Sequence, residues 1–125
     1  MNARIDESSV RIRLLVGDVA KLASDGAVEC EVAFVPGAPV FGFRIETATG
    51  TESQAVFADG RLRVTIPAEF AAAWPLNDEV GLDMRCGQLR VTVEKDLRRL
   101  KPWRAESAET ERYPNPRSRN QAKPV

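Results

Sequence analysis

Three groups of residues have types and spacings from which chemistry can be built: two cysteines, paired carboxylates and arginines at alternate positions. Cys30 lies between Val28, Val32 and Phe34 at strand spacing, and Cys86 follows Leu82 and Met84 in the same way. Both thiols are therefore expected on apolar strand faces, where a free cysteine acts as a small hydrophobe. A zinc site would need two further ligands, and the chain contains no histidine. That absence also removes the commonest general base and the usual pH switch. No catalytic residue, metal or cofactor is expected from these positions.

Glu29 and Glu31 sit two apart, as do Glu94 and Asp96, so each pair shares one strand face. Paired carboxylates can hold a metal or run hydrolysis, but alternating charge is also the ordinary wet side of a half-buried strand. Arg11, Arg13, Arg44, Arg61, Arg63 and Arg90 likewise fall on the polar positions of alternating segments. They would form either a basic stripe for nucleic acid or ion pairs with Glu29, Glu31, Glu46, Asp83 and Glu94 on neighbouring strands. The balance of 18 basic against 18 acidic side chains favours ion pairs, because phosphate-binding proteins usually carry a basic excess. The glycines have turn spacings rather than the spacing of a phosphate loop.

The elements that must position these groups are short. Val10 to Leu14 alternates apolar and charged residues, which predicts a strand with one buried face. Gly17-Asp18 opens a short helix and Asp25-Gly26 closes it. Val28 to Phe34 and Phe41 to Glu46 form a hairpin around Pro36-Gly37-Ala38-Pro39. Asp59-Gly60 is a strong two-residue turn between Ala55–Phe57 and Leu62–Ile66. Pro67 then opens a second helix and Pro75 stops it. A last hairpin, Val80–Met84 with Leu89–Val93, turns at Cys86-Gly87.

These elements make the same unit twice. Residues 3–12 lie over 55–64, and with one residue skipped Asp18–Leu22 lies over Glu69–Ala73; Asp25–Val28 then lies over Asn77–Val80. The repeat halves are 3–50 and 55–96. The expected fold is mainly β, of the α+β kind: a small closed barrel of about eight strands with two short helices. Its domain spans 1–100, and 125 residues suffice for one core. Residues 101–125 change character, with Pro, Arg, Ser and Asn prominent, and are expected to be a flexible tail. The body holds 12 basic and 15 acidic residues, the tail 6 and 3.

Gly60, Arg61, Val64, Ile66, Pro67, Glu69, Phe70, Asp78, Val80, Leu89, Val91 and Lys95 follow one course: strand, Ile-Pro, helix, Asp-x-Val, strand, strand. Residues 60–95 thereby resemble the swapped-hairpin unit of the AbrB/MazE class of bacterial transcription and antitoxin proteins. The resemblance implies two fused units of the cradle-loop barrel kind, closing in one chain what that class closes with two. It also implies DNA binding through Arg11, Arg13, Arg61, Arg63 and Arg90. Ser9–Leu14, Val93–Leu97 and Tyr113–Pro116 further resemble a bacterial family of small proteins of unknown function.

No apolar run approaches the ~20 residues of a membrane span, and the charged start through Arg4, Asp6 and Glu7 is unlike a signal peptide. Two cysteines without a leader point to the cytoplasm. The leading functional expectation is a non-enzymatic interaction module, a monomer or weak homodimer. It would bind another protein through Trp103 and Tyr113-Pro114-Asn115-Pro116, where prolines keep the backbone extended and an aromatic residue anchors. Nucleic acid binding is the first alternative. A small-metabolite-binding or carboxylate-based enzyme barrel is the second.

Overall fold

The computed structural model describes residues 1–50, 52–98 and 113–117. Eight strands and two helices follow in the order β1 (Asn2–Ile5), β2 (Ser9–Leu14), α1 (Val16–Asp25), β3 (Ala27–Val32), β4 (Phe41–Ala48), β5 (Gln54–Ala58), β6 (Arg61–Pro67), α2 (Ala68–Ala73), β7 (Gly81–Cys86) and β8 (Leu89–Lys95). A single 3₁₀ turn, Trp74–Leu76, continues α2. The α-helix ends at Ala73, ahead of Pro75 as expected, and Pro75 lies within the 3₁₀ turn that follows.

Local sequence accounts for the joints. Asp59 and Gly60 take positive φ values of 53° and 77°, as a two-residue hairpin turn whose twist matches its strands requires. Gly26 closes α1 in the left-handed region at φ 83°, its N–H returning to the Leu22 carbonyl. At the other end of α1 the Asp18 carboxylate accepts the Leu15 N–H at 2.9 Å. It satisfies a donor that the helix start leaves without an intrahelical partner.

The strands form two four-stranded sheets. The first has the order β1-β2-β8-β7 and the second β3-β4-β6-β5. In each, two antiparallel hairpins meet along a central parallel pair, β2 with β8 or β4 with β6. Exchanging β1 for β5, β2 for β6, β3 for β7 and β4 for β8 converts one order into the other. Hydrogen bonds at the joints repeat as well. Gly42 N–H reaches the Gly60 carbonyl at 3.0 Å, and Arg90 N–H the Ser8 carbonyl at 3.1 Å; Thr47 N–H reaches Gly26 at 2.9 Å, and Lys95 N–H reaches Val80 at 2.8 Å.

The closed barrel expected from the sequence is not what forms. Each sheet keeps two edges: β1 and β7 in the first, β3 and β5 in the second. β5 packs against β7 without a shared ladder, and β1 and β3 have no comparable packing. Burial of the two inner faces against each other does the work that closure would have done. The edge β1 is only four residues long, and β3 carries Glu29 and Glu31; short or charged edges discourage further pairing.

The core takes the alternate residues of every ladder. Ile12, Leu14, Ile45, Val64, Ile66, Val91 and Val93 are fully buried, each contributing about 1.5–3 kcal/mol relative to an exposed position. Trp74 is also fully buried, and its indole N–H donates to the Glu79 carbonyl at 2.7 Å. Val10, Ile12, Leu14, Val19 and Leu22 are buried, and so are the residues 52 places on: Leu62, Val64, Ile66, Ala71 and Trp74. The helices therefore correspond without the skipped residue that the sequence alignment introduced. The extra length falls later, because β3 begins at Ala27 and β7 at Gly81.

Candidate functional site

Strand alternation sorts the candidate residues. Cys30 and Cys86 are free, half-buried and on different sheets. Phe34, expected to continue the apolar face of β3, lies beyond its end and is 77% exposed. Among the described residues no group of three or more Cys, Asp or Glu is placed to hold a metal ion. Of the carboxylate pairs, Glu29 and Glu31 face outward on β3 and each meets an arginine, Glu29 with Arg44 at 3.1 Å and Glu31 with Arg61. Glu94 is half-buried at the outer face of β8, whereas Asp96 lies just past the strand and is exposed.

The arginines do not form one stripe. Arg11, Arg13 and Arg90 lie on the outer face of the first sheet, and Arg44, Arg61 and Arg63 on that of the second. On the second sheet three arginines face three glutamates. Arg44 bridges Glu29 and Glu46, Arg61 meets Glu31, and Arg63 meets Glu46 at 3.2 Å. A shallow groove of about 610 Å³ crosses this face, lined by Glu46, Val56, Asp59, Arg61 and Arg63 among others.

The outer face of the first sheet is different. Its outward side chains include Arg4, Arg11, Arg13, Arg85 and Arg90 but only two carboxylates, Asp83 and Glu94. Glu94 is shared by Arg11 at 3.5 Å and Arg13 at 3.3 Å. Asp83 accepts Thr92 Oγ1 at 2.6 Å and Arg90 Nη2 at 2.9 Å. Those two hydrogen bonds hold its carboxyl below the ordinary value of 3.8, because both favour the charged form. Arg85 donates to the Gln88 carbonyl at 3.2 Å, and among the described residues neither Arg85 nor Arg4 has an ion pair. Arg4 and Arg85 escaped the sequence reading because nothing local distinguishes them. Their significance lies in which strands neighbour theirs.

A second cleft, about 220 Å³ and mainly apolar, lies beside α1 and is lined by Leu14, Val16, Val19, Pro75 and Leu97 among others. Of the predicted partner-binding residues, Tyr113, Pro114, Asn115 and Pro116 are all exposed, Tyr113 at 97%. Trp103 lies outside the described residues. No described helix is long and apolar enough to cross a membrane.

Comparison with family models matches residues 1–117 to a family of unknown function, DUF7009. The chain belongs to DUF7009. The match takes in both sheets, both helices and the Tyr113–Pro116 segment, so this family reaches well past the end of β8. No curated protein and no solved structure matches the chain.

Proposed function

We propose that this DUF7009 chain is a non-enzymatic interaction module that binds another protein. Its contacts are the Tyr113-Pro114-Asn115-Pro116 segment and the loop that follows β3. The observation that carries this reading is the exposure of large apolar side chains at both places: Tyr113 at 97%, Phe34 at 77% and Val35 at 58%. Exposed aromatic side chains are the usual anchors of protein interfaces, where one or two supply most of the affinity. Flanking prolines lower the ordering cost of an extended segment on binding.

On this reading the two halves descend from one swapped-hairpin-like unit, joined in a cytoplasmic protein that works as a monomer or weak homodimer. The interchangeable strand orders and the repeated joint hydrogen bonds support common descent of the halves.

The test compares capture from bacterial lysate by the full chain, by Tyr113→Ala and by Phe34→Ser, followed by affinity measurement with the captured protein. Loss of an anchor costs about 2 kcal/mol or more, a drop of about 30-fold. Equal retention by all three proteins would rule out both contacts.

A further inference from the structure

The chain contains two Asp-Gly steps, Asp25-Gly26 and Asp59-Gly60, and the fold treats them in opposite ways. An aspartate ahead of glycine can close on the following backbone nitrogen, because glycine brings no side chain to block the approach. The peptide between them must first turn until that nitrogen meets the side-chain carboxyl carbon. Asp25-Gly26 ends α1, and its glycine N–H is committed to the Leu22 carbonyl at 3.1 Å. The Asp25 carboxylate also accepts the Ser24 hydroxyl at 3.0 Å.

Asp59-Gly60 turns the β5–β6 hairpin. Among the described residues neither the Asp59 carbonyl nor the Gly60 N–H has a hydrogen-bond partner, and the exposed Asp59 carboxylate has none either. Asp59 is also the one non-glycine residue among them in the left-handed region, at φ 53°, a conformation that is costly for a residue with a Cβ. Turning its peptide therefore breaks no hydrogen bond of that peptide, and Gly60 can take up the compensating rotation.

We propose that Asp59 is a modification site, at which aspartate converts spontaneously to isoaspartate in the folded protein. The Gly60 nitrogen bonds to the Asp59 side-chain carboxyl carbon. The nitrogen's proton and the carboxyl OH leave as water, which closes a five-membered succinimide. Water then adds at the α-carbonyl of the ring and breaks its bond to the nitrogen. The chain now runs through Cβ and Cγ, the α-carboxylate becomes the branch, and the mass is unchanged. No oxidant or other reagent is needed.

The product does not fit this turn. The Gly60 carbonyl accepts the Gly42 N–H at 3.0 Å, at the Gly42–Arg61 pair where the β4–β6 ladder starts. Gly60 also lies so close to β4 that a Cβ on it would stand 2.6 Å from the Val40 carbonyl oxygen. A main chain one atom longer displaces Gly60 from this contact and loosens the joint between the two halves. The site is independent of the interaction proposed above.

The experiment ages the full chain in warm neutral buffer, both folded and in denaturant. Isoaspartate is read by methyl transfer from labelled S-adenosylmethionine with an isoaspartyl methyltransferase, followed by peptide mapping. A second reading is lost cleavage ahead of residue 59 by an endoproteinase that cuts before aspartate. In the folded protein Asp59 should be labelled about 2- to 13-fold faster than Asp25, the factor by which one retained backbone hydrogen bond lowers the reactive population. In denaturant the two should react at similar rates. Asp59→Asn, a residue this turn type also accepts, should reach the same succinimide faster by releasing ammonia, whereas Asp59→Glu should lose the label at this position. The separated isoaspartyl form should melt below the fresh protein.

This ordering of rates, found only in the folded chain, supports the proposal. Equal labelling of Asp25 and Asp59 in the folded protein overturns it, as does a folded Asp59 that stays unlabelled while the denatured chain reacts. An isoaspartyl form that melts with the parent overturns the link to the β4–β6 joint.

Discussion

At the scale of single residues, three aspartates are tied to their surroundings in the charged form. Asp83 is held low by Thr92 and Arg90. Asp6 is held low by the Ser8 N–H, with Ser9 adding to it, in the turn between β1 and β2. At Asp18 burial pushes the pKa up, but the terminal ammonium at 2.8 Å and the Leu15 N–H outweigh it and the net direction is down. A carboxyl whose folded pKa lies below its unfolded value adds stability above the unfolded value and loses it as pH falls through the folded one. The melting temperature should therefore change little above the ordinary carboxylate value of 3.8 on account of these groups, and fall below it. Thermal melts by circular dichroism across that range check the sign. Asp6→Asn/Asp83→Asn should show a shallower acid decline than the parent; an equally steep decline would assign the acid sensitivity to other groups.

At the scale of elements, Gly17 and Gly81 make opposite demands. Gly17 is inside α1 with open space where a Cβ would stand. Gly81 opens β7 opposite Glu94, and a Cβ there would run into the Val93 carbonyl and the Glu94 backbone. Gly17→Ala should stabilise the protein by about 0.5–1 kcal/mol, since alanine is the better helix former. Gly81→Ala should destabilise it by about 1–3 kcal/mol through overpacking. Denaturant midpoints of the two variants should move in opposite directions, and movement in the same direction would contradict this account of the strand. The elements themselves were largely legible in the sequence. Alternation at Val10–Leu14, the Asp59-Gly60 turn, Pro67 and Gly26 are local signals, and each marks an element or boundary found in the structure. The last hairpin turn falls one residue later than expected, at Gly87-Gln88 rather than Cys86-Gly87. What could not be read was the neighbour of each strand. The parallel pairs β2–β8 and β4–β6 join residues far apart in the chain. They decide that Arg63 meets Glu46, whereas among the described residues Arg4 and Arg85 have no ion pair.

At the scale of the whole molecule, those parallel pairs make each sheet a joint product of both halves. The hairpin β1-β2 finds its neighbours in β8-β7, and β3-β4 finds its own in β6-β5. A half on its own would hold two hairpins with no shared ladder, leaving Ile12, Leu14 and Ile45 facing water. Two isolated hairpins are at best marginal in water, and the central pairing that would unite them lies between the halves. Cutting the chain between Gly50 and Thr51 severs only the β4–β5 connection, outside every ladder. Residues 1–50 and 51–125, produced separately, should therefore give no folded monomer. Mixed in equal amounts, they should recover the spectrum of the intact protein with a concentration-dependent rate. Buried Trp74 offers a second probe, because its environment depends on packing that both halves supply: α1 packs against α2 and the 3₁₀ turn. A blue-shifted tryptophan emission, checked with Trp103→Phe in the second fragment, should appear only in the mixture. A folded monomeric half would show that the hairpins of one unit can pair with each other. The exchange between halves would then be a choice made by the joined chain rather than a necessity of its sheets.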